Sequence, residues 1–297
     1  MDIDLRRVVA DAGRLGFSEQ DLPGVERMAA NVLTDPELSA ELAGRAELLR
    51  AGIGRFAVDG PDPWAGLPDA PDAGAIPMLA LLATAPDVVA HQLGRGVPEA
   101  QAWRNLSDLG QQVRVHRLAY GRFGLHNQGW LRTVWAGGFA WLGRLQFNAQ
   151  PLPGGEWVLS THIPRRGSDG APRSGALSPE AVDDSFARAS RFYAKHFPDL
   201  PATHFWCRSW LLAPELAAAL PGSNIAAFQR RWTLDDQIEH GDDDAVYFTF
   251  ARRASYDLRR LPRTTRLERA VASRLEQGEH WTLRSGRIPR ATFPPGR

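Results

Sequence analysis

The chain has 297 residues, of which 43% are hydrophobic and 23% charged, an ordinary globular composition with enough apolar material for a core. A formal net charge of +1 gives no bulk electrostatic reason to expect nucleic acid or a membrane as a partner. The single cysteine, Cys207, excludes an internal disulfide and a cysteine-rich zinc site.

The length exceeds the usual single-domain size of about 100–150 residues and therefore favours two domains. The first residues contain no apolar signal core, and by inspection no apolar run approaches the roughly 18–20 residues that a membrane span needs. We expect a soluble cytoplasmic protein.

The first part of the chain has the apolar spacing of helices. Helices are predicted within residues 1–58, from Pro77 to Leu93 and from Pro98 to Leu118, with a loop rich in Pro, Gly and Asp between residues 59 and 75. We assign residues 1–120 to a helical N-terminal domain and residues 121–297 to a second domain.

The second domain begins with a predicted hairpin. Phe139 to Asn148 reads as one strand, a glycine-containing turn follows, and Glu156 to Pro164 reads as the next strand. Ser178 and Pro179 then have the residue types of a helix cap and a first helical position.

The remaining elements alternate between strands and helices. The pattern predicts a strand from Thr203 to Leu212, helices after Pro214 and Ser223, a turn at 241–244, a strand at 245–250, a helix at 261–277 and a closing strand at 280–288. The expected fold class is α+β (α/β mixed): a helical domain, then a mixed, mostly antiparallel sheet flanked by helices.

This order, together with four segments, resembles the GNAT superfamily of N-acyltransferases. The segments are Leu142 to Phe147, His162-Ile163-Pro164, Cys207 to Leu212, and Ser223-Asn224-Ile225 with Phe228. They resemble a bacterial group in which a helical N-terminal domain precedes a GNAT-like domain. The resemblance implies an acyl-CoA donor, usually acetyl-CoA, and a small-molecule or peptide amine as acceptor.

The resemblance also implies a CoA-binding loop from Arg165 to Ser178, because unpaired amides and a helix N-terminus favour the CoA pyrophosphate. The residues assigned to CoA are Ile163, Arg165, Arg166, Gly167, Gly175 and Asn224, the last through the pantetheine arm. A surface loop and an ordinary residue after a helix cap are the structural alternatives.

Acyl transfer needs a base, donors to the developing oxyanion and an acid for the leaving thiolate. His162, at the end of a strand expected to splay from its neighbour, is the first base candidate; the alternative is a histidine hydrogen-bonded within the fold. Ser209 is a candidate donor to pantetheine or thiolate, and Tyr247 a candidate acid or a core residue. Cys207 is a candidate nucleophile or a small buried apolar residue.

The acceptor side is assigned to the strand that carries Arg144 and Gln146, and to Trp206 and Trp210. Surface hydrogen bonds and core packing are the alternatives for these side chains. We expect no metal, since the three acids at 242–244 without further ligands read as a solvated turn.

Three functional hypotheses follow from these residues. The first is an N-acyltransferase that uses acyl-CoA by direct attack. The second is a thiol acyltransferase or amidohydrolase built on Cys207 and His162. The third is a non-catalytic module that binds acyl-CoA or a peptide. The sequence does not determine the oligomeric state.

Overall fold

A computed structural model describes residues 5–67, 74–165 and 177–294 of the chain, and these form two compact units, residues 1–140 and 141–297. The division lies later in the chain than the predicted boundary between residues 120 and 121. The reason is the helix Gln128–Trp135, whose Trp135 indole donates hydrogen bonds of 3.1 Å to the Leu81 carbonyl and to Thr84 Oγ1 in the first unit.

The first unit is helical, as predicted. Its helices are α1 (Leu5–Ala12), α2 (Leu22–Thr34), α3 (Pro36–Gly52), α4 (Ala75–Gly94), α5 (Glu99–Leu106), α6 (Asp108–Tyr120) and α7 (Gln128–Trp135). The helix predicted from Pro98 to Leu118 is divided at Ser107, whose hydroxyl donates to the Arg104 carbonyl at 2.7 Å.

Helix α4 corrects the expectation that no segment of the chain is long and apolar enough to span a membrane. With 20 residues it is long and apolar enough to cross a membrane by length and composition. Within its most apolar window, however, 67% is buried inside the fold, and α4 packs against α3. A helix that is apolar on most sides and covered by its neighbours is typical of a protein core.

The second unit contains a six-stranded sheet with the order β1-β2-β3-β4-β6-β5. Its strands are β1 (Phe139–Leu142), β2 (Leu145–Pro151), β3 (Trp157–His162), β4 (His204–Ser209), β5 (Thr233–His240) and β6 (Thr282–Pro289). The pair β3–β4 is parallel, whereas β2–β3, β4–β6 and β5–β6 are antiparallel. The mixed, mostly antiparallel sheet confirms the predicted fold class.

Five helices accompany the sheet: α8 (Pro179–His196), α9 (Pro214–Ala219), α10 (Asn224–Gln229), α11 (Asp242–Phe250) and α12 (Arg266–Glu276). Ser178 and Ser223 cap α8 and α10 as predicted, since each hydroxyl accepts a hydrogen bond from the backbone N–H three residues later. Thr265 and Glu268 form a reciprocal capping box on α12.

The structure corrects the predicted hairpin at its first strand. The segment 139–148 is two strands, separated by a turn at Gly143, whose φ of +69° lies in the left-handed region that favours glycine. Arg144 therefore lies in a turn, and the alternation that placed it on one face with Gln146 does not apply.

A second correction concerns residues 233–250. The predicted turn and strand at 241–250 are the helix α11, with three acids in its first turn, where they interact favourably with the helix dipole. Phe248 is 50% exposed on this helix. The strand that was not predicted, β5, is mostly polar and lies at the sheet edge, where charged side chains discourage pairing with other chains.

The core of the second unit lies between the sheet and α8. Phe186 of α8 is fully buried, and its ring centroid lies 4.7 Å from that of Phe205, 4.9 Å from that of Phe293 and 5.8 Å from that of Phe147. Phe147 and Phe205 therefore mark the α8-facing side of the sheet.

We predict that Phe186→Ala lowers the free energy of unfolding by about 3–5 kcal/mol, because it removes an aromatic side chain that has neighbours on several sides. Phe248→Ala is the matched control on an exposed phenylalanine and should change stability by about 0.5 kcal/mol or less. Urea denaturation of both variants measures the difference. Equal losses would contradict the assignment of Phe186 to the core.

Candidate active site

The parallel strands β3 and β4 separate partway along their length. Their pairing covers Val158 with His204, Leu159 with Phe205 and Ser160 with Trp206, and stops there. Beyond this point β3 stays paired with β2 through His162, while β4 stays paired with β6 through Ser209.

The two continuing strand ends leave an opening in the sheet, which we call the β3–β4 opening. It is bordered by Thr161 and His162 on one side and by residues 207–209 on the other. Each border keeps one edge of its backbone in the sheet and turns the other toward the opening. Backbone N–H and C=O groups that lose a strand partner need another hydrogen-bonding partner. The splay predicted at the end of β3 is therefore present in the strand pairing.

His162, the predicted base, lies at this opening, and its ring is oriented by a buried amide. His162 Nε2 lies 2.6 Å from Asn148 Oδ1, and Asn148 Nδ2 donates to Gln150 Oε1 at 3.1 Å. With the amides oriented so that Asn148 Nδ2 donates to Gln150 Oε1, the Asn148 oxygen faces the ring and Nε2 carries the proton. In the neutral imidazole the unprotonated nitrogen is then Nδ1.

Burial lowers the pKa of His162 to about 3, because the imidazolium form loses its hydration. The imidazole is therefore neutral across the physiological pH range and carries a nitrogen lone pair. The ring is therefore oriented to accept a proton, while a pKa of about 3 makes it a weaker base than a solvent-exposed histidine.

Asn148 is a functional candidate that the sequence analysis missed. Gln146, Asn148 and Gln150 alternate along one face of β2, and Gln146 pairs directly with His162 in the register. Gln146 is 3% exposed and Asn148 2% exposed. A run of alternating polar side chains in a strand that is otherwise buried was the signal that could have identified them.

The register places Cys207 and His162 on opposite faces of the sheet. Ser160 and Trp206 are direct partners and share a face, His162 follows Ser160 by two residues, and Cys207 follows Trp206 by one. Cys207 is 1% exposed, and burial raises the pKa of its thiol. The predicted activation of Cys207 by His162 is therefore not supported, and Cys207 is a small residue of the core.

Ser209 ends β4 and caps the short turn that follows. Its Oγ accepts a hydrogen bond of 3.1 Å from the Leu211 N–H, which explains why β4 ends here rather than at the predicted Leu212. The hydroxyl proton is not used in that bond, so Ser209 retains a donor at the border of the opening.

Tyr247 lies on α11 rather than on a strand, and its neighbourhood includes Arg165. Arg165 Nη2 donates to the carbonyl of Phe248 at 2.8 Å and to that of Tyr247 at 3.5 Å, at the C-terminal end of α11. The Arg253 guanidinium carbon lies 4.3 Å from the centroid of the 7% exposed Tyr247 ring. The structure thus brings together a predicted CoA residue and a predicted acid that are distant in sequence.

Arg144 is bound within the fold. Its Nη1 donates to the Pro164 carbonyl at 2.7 Å, and its backbone N–H donates to Ser185 Oγ of α8 at 2.9 Å. The side chain is buried, which lowers the pKa of Arg144 to about 10 and leaves it charged at neutral pH. Arg144 therefore holds the chain just after β3, instead of standing free to contact an acceptor as predicted.

The two predicted tryptophans have different surroundings. Trp206 is half-buried and lies on the same face as His162 beside the opening. Trp210 is 3% exposed and packs in a core cluster with Leu216, Val271 and Trp281. Its burial argues against contact with a substrate.

The remaining predicted CoA residues divide into two groups. Ile163 is half-buried directly after β3, and Asn224 is an exposed residue at the first position of α10. Arg166, Gly167 and Gly175 lie outside the described residues, so the predicted pyrophosphate loop stays a prediction.

Two family models match consecutive parts of this chain. The N-acyltransferase N-terminal domain matches residues 10–137, and the GNAT-like C-terminal domain matches residues 139–288. A comparison with curated proteins finds no match.

Solved structures of acyltransferases are similar along most of the chain. An acyltransferase in complex with decanoyl-CoA is 33% identical, with a TM-score of 0.79 over 94% of this chain and 86% of that one. A mutant acyltransferase in complex with octanoyl-CoA is also 33% identical, with a TM-score of 0.79 over 93% and 85%.

An acyltransferase in complex with CoA and 10C-teicoplanin is 33% identical, with a TM-score of 0.77 over 93% of this chain and 85% of that one. The family models, the fold and these structures agree. The chain belongs to the family of N-acyltransferases that join an N-acyltransferase N-terminal domain to a GNAT-like C-terminal domain.

Proposed function

We propose that this enzyme transfers an acyl group from CoA to an amine and binds the pantetheine arm of the donor in the β3–β4 opening. The observation that carries this proposal is the end of strand pairing at Ser160 and Trp206. Pantetheine is an extended chain with two amides, so it can bind along the backbone that borders the opening, as an additional strand does.

The donor we propose has an acyl chain of about eight to ten carbons. The sequence resemblance favoured acetyl-CoA, but two similar acyltransferases are in complex with octanoyl-CoA and decanoyl-CoA. Each methylene buried in an apolar site contributes about 0.8 kcal/mol, so a site shaped for a longer chain discriminates strongly against acetyl.

The acceptor we propose is a primary amine on a large polar molecule. Two similar acyltransferases are in complex with teicoplanin or 10C-teicoplanin, which supports a glycopeptide as the acceptor class. Gln146 and Asn148 are too deeply buried to contact a large acceptor directly, so the proposed acceptor class is supported by these similar structures alone.

In the proposed reaction the neutral amine attacks the thioester carbonyl carbon directly. A carbon–nitrogen bond forms, the carbon–sulfur bond breaks, and the proton lost by nitrogen ends on the CoA thiolate. His162 accepts the N–H of the attacking amine through its unprotonated nitrogen, and Asn148 keeps the ring oriented. The register places Ser209 on the Cys207 face of the sheet, opposite to His162, so its predicted role as a donor to the thiolate stays a prediction.

We predict that kcat/KM for octanoyl-CoA or decanoyl-CoA exceeds that for acetyl-CoA by more than about tenfold. Thiol release with a glycopeptide amine acceptor, measured across donors from acetyl to dodecanoyl, tests this. Equal rates for all donors would contradict the chain-length proposal. Binding of CoA without thiol release across a broad panel of amines would instead favour the non-catalytic module.

We predict that His162→Gln lowers kcat by about 100-fold or more, since it removes the proton acceptor while keeping a group that can donate to Asn148. Cys207→Ala is the matched comparison from the other face of the sheet and should leave kcat near that of the unchanged enzyme. The reverse pattern, with Cys207→Ala inactive and His162→Gln active, would support the thiol mechanism.

The low pKa of His162 predicts a specific dependence of stability on pH. Because the folded protein holds this ring neutral down to about pH 3, while the unfolded chain protonates it near 6.5, stability is full above pH 6.5 and falls as the pH decreases. The slope from this group is about 1.4 kcal/mol per pH unit.

Urea denaturation at several pH values between 7 and 4.5 measures this slope. His162→Gln should lose less stability than the unchanged enzyme over this range, since glutamine does not titrate there. Parallel stability curves for the two proteins would show that the ring is not held neutral by the fold.

A further inference from the structure

A cluster of two histidines and an aspartate lies where β5, α11 and β6 meet. His240 is the last residue of β5, Asp242 the first of α11, and His280 precedes β6 by two residues. One ligand atom from each of these side chains lies within 4.8 Å of the other two. We propose that His240, Asp242 and His280 bind a divalent transition-metal ion of the zinc class.

The distances suit a small metal ion. Asp242 Oδ2 lies 2.7 Å from His280 Nδ1 and 3.4 Å from His240 Nε2, and the two imidazole centroids are 5.1 Å apart. Tetrahedral zinc with bonds of about 2.0–2.2 Å separates neighbouring ligand atoms by about 3.3 Å. An increase of about half an ångström between Asp242 and His280 would accommodate the ion, and a water molecule would complete the tetrahedron.

Asp242 is already oriented by the backbone. Its Oδ1 accepts a hydrogen bond of 2.7 Å from the Trp281 N–H, which directs Oδ2 toward the two imidazoles. A carboxylate held by a second hydrogen bond in this way is typical of metal ligands. The position of the carboxylate is therefore fixed, whereas the side chains of His240 and His280 are 67% and 68% exposed and accessible to an ion from solvent.

The backbone also fixes the two histidines next to each other. The Gly241 N–H donates to the Trp281 carbonyl at 2.8 Å, and a Cβ at Gly241 would lie only 2.6 Å from the carbonyl carbon of Thr282. Only glycine allows this approach, which joins the end of β5 to the start of β6. His240 pairs with Thr282 in the register, two residues after His280.

The charges near the cluster are compatible with a cation. The exposed Asp243 adds a negative charge next to Asp242. Arg274 is a basic group close to the cluster: its Nε donates to the His280 carbonyl, and its charge is compensated by Glu279 at 2.6 Å. Imidazole and carboxylate ligands suit zinc, nickel or copper better than magnesium or calcium, which prefer oxygen ligands alone.

A bound ion would stabilise a helix that also contacts the candidate active site. It would join the end of β5 to the start of α11, and the last carbonyls of α11 accept the hydrogen bonds of Arg165. The metal site itself rests only on His240, Asp242 and His280, so it stands independently of the proposed acyl transfer.

The test uses the full chain with its purification tag removed and its metals stripped by a chelator that is then dialysed away. Titration with zinc chloride in a calorimeter measures stoichiometry and affinity, and the visible absorption of added cobalt(II) reports the coordination number. The variants are His240→Gln and His280→Gln. His204→Gln is the matched control, because His204 also has a nearby carboxylate, Glu156 at 3.7 Å.

We expect one zinc ion per chain, a cobalt spectrum of a four- or five-coordinate ion, and an increase in Tm with zinc. Each of the two ligand variants should weaken binding by more than about tenfold while His204→Gln binds as before. Circular dichroism checks that the variants are folded. The absence of zinc binding, or an affinity unchanged in both folded ligand variants, would overturn the proposal.

Discussion

The constraint on which the site depends is the limited pairing of two parallel strands. β3 and β4 share only three residue pairs, although both strands continue further. Each continuing end is kept in the sheet by its outer neighbour, so neither is free to close the opening by itself. A sheet whose strands are paired on both sides of an internal opening can receive an extended ligand there without losing its core.

Two features fix the positions of the strand ends that border this opening. On the α8 side, Phe147, Phe205 and Phe186 form a dense aromatic cluster that fixes the distance between the sheet and the helix. Beyond the end of β3, the buried Arg144 joins the Pro164 carbonyl and α8 through hydrogen bonds. A guanidinium that is buried and fully engaged in this way is costly to displace. The direction in which the chain leaves β3 is therefore set by the fold.

The features predicted correctly from sequence are those encoded locally. The caps at Ser178 and Ser223 were predicted because a hydroxyl and the backbone N–H three residues later are close in sequence. The family resemblance depended on short ordered segments, and the family models confirm it. The splay beyond β3 was expected from that resemblance and is visible in the register.

The features that sequence did not reveal depend on long-range pairing. The helix α11 was read as a strand because a six-residue apolar run fits both periodicities. The strand β5 was missed because its charged residues pair with β6 alone at the sheet edge. The opposite faces of His162 and Cys207 follow from a register between strands that are far apart in sequence. No local pattern contains that information.

The most direct test of the central claim is hydrogen–deuterium exchange of the full chain with and without decanoyl-CoA. The account predicts that exchange slows in peptides covering Thr161–His162 and Cys207–Ser209, because the bound donor covers the backbone of both borders. Slower exchange at only one of the two borders would count against the claim. Binding of decanoyl-CoA with unchanged exchange at both borders would contradict the β3–β4 opening as the donor site.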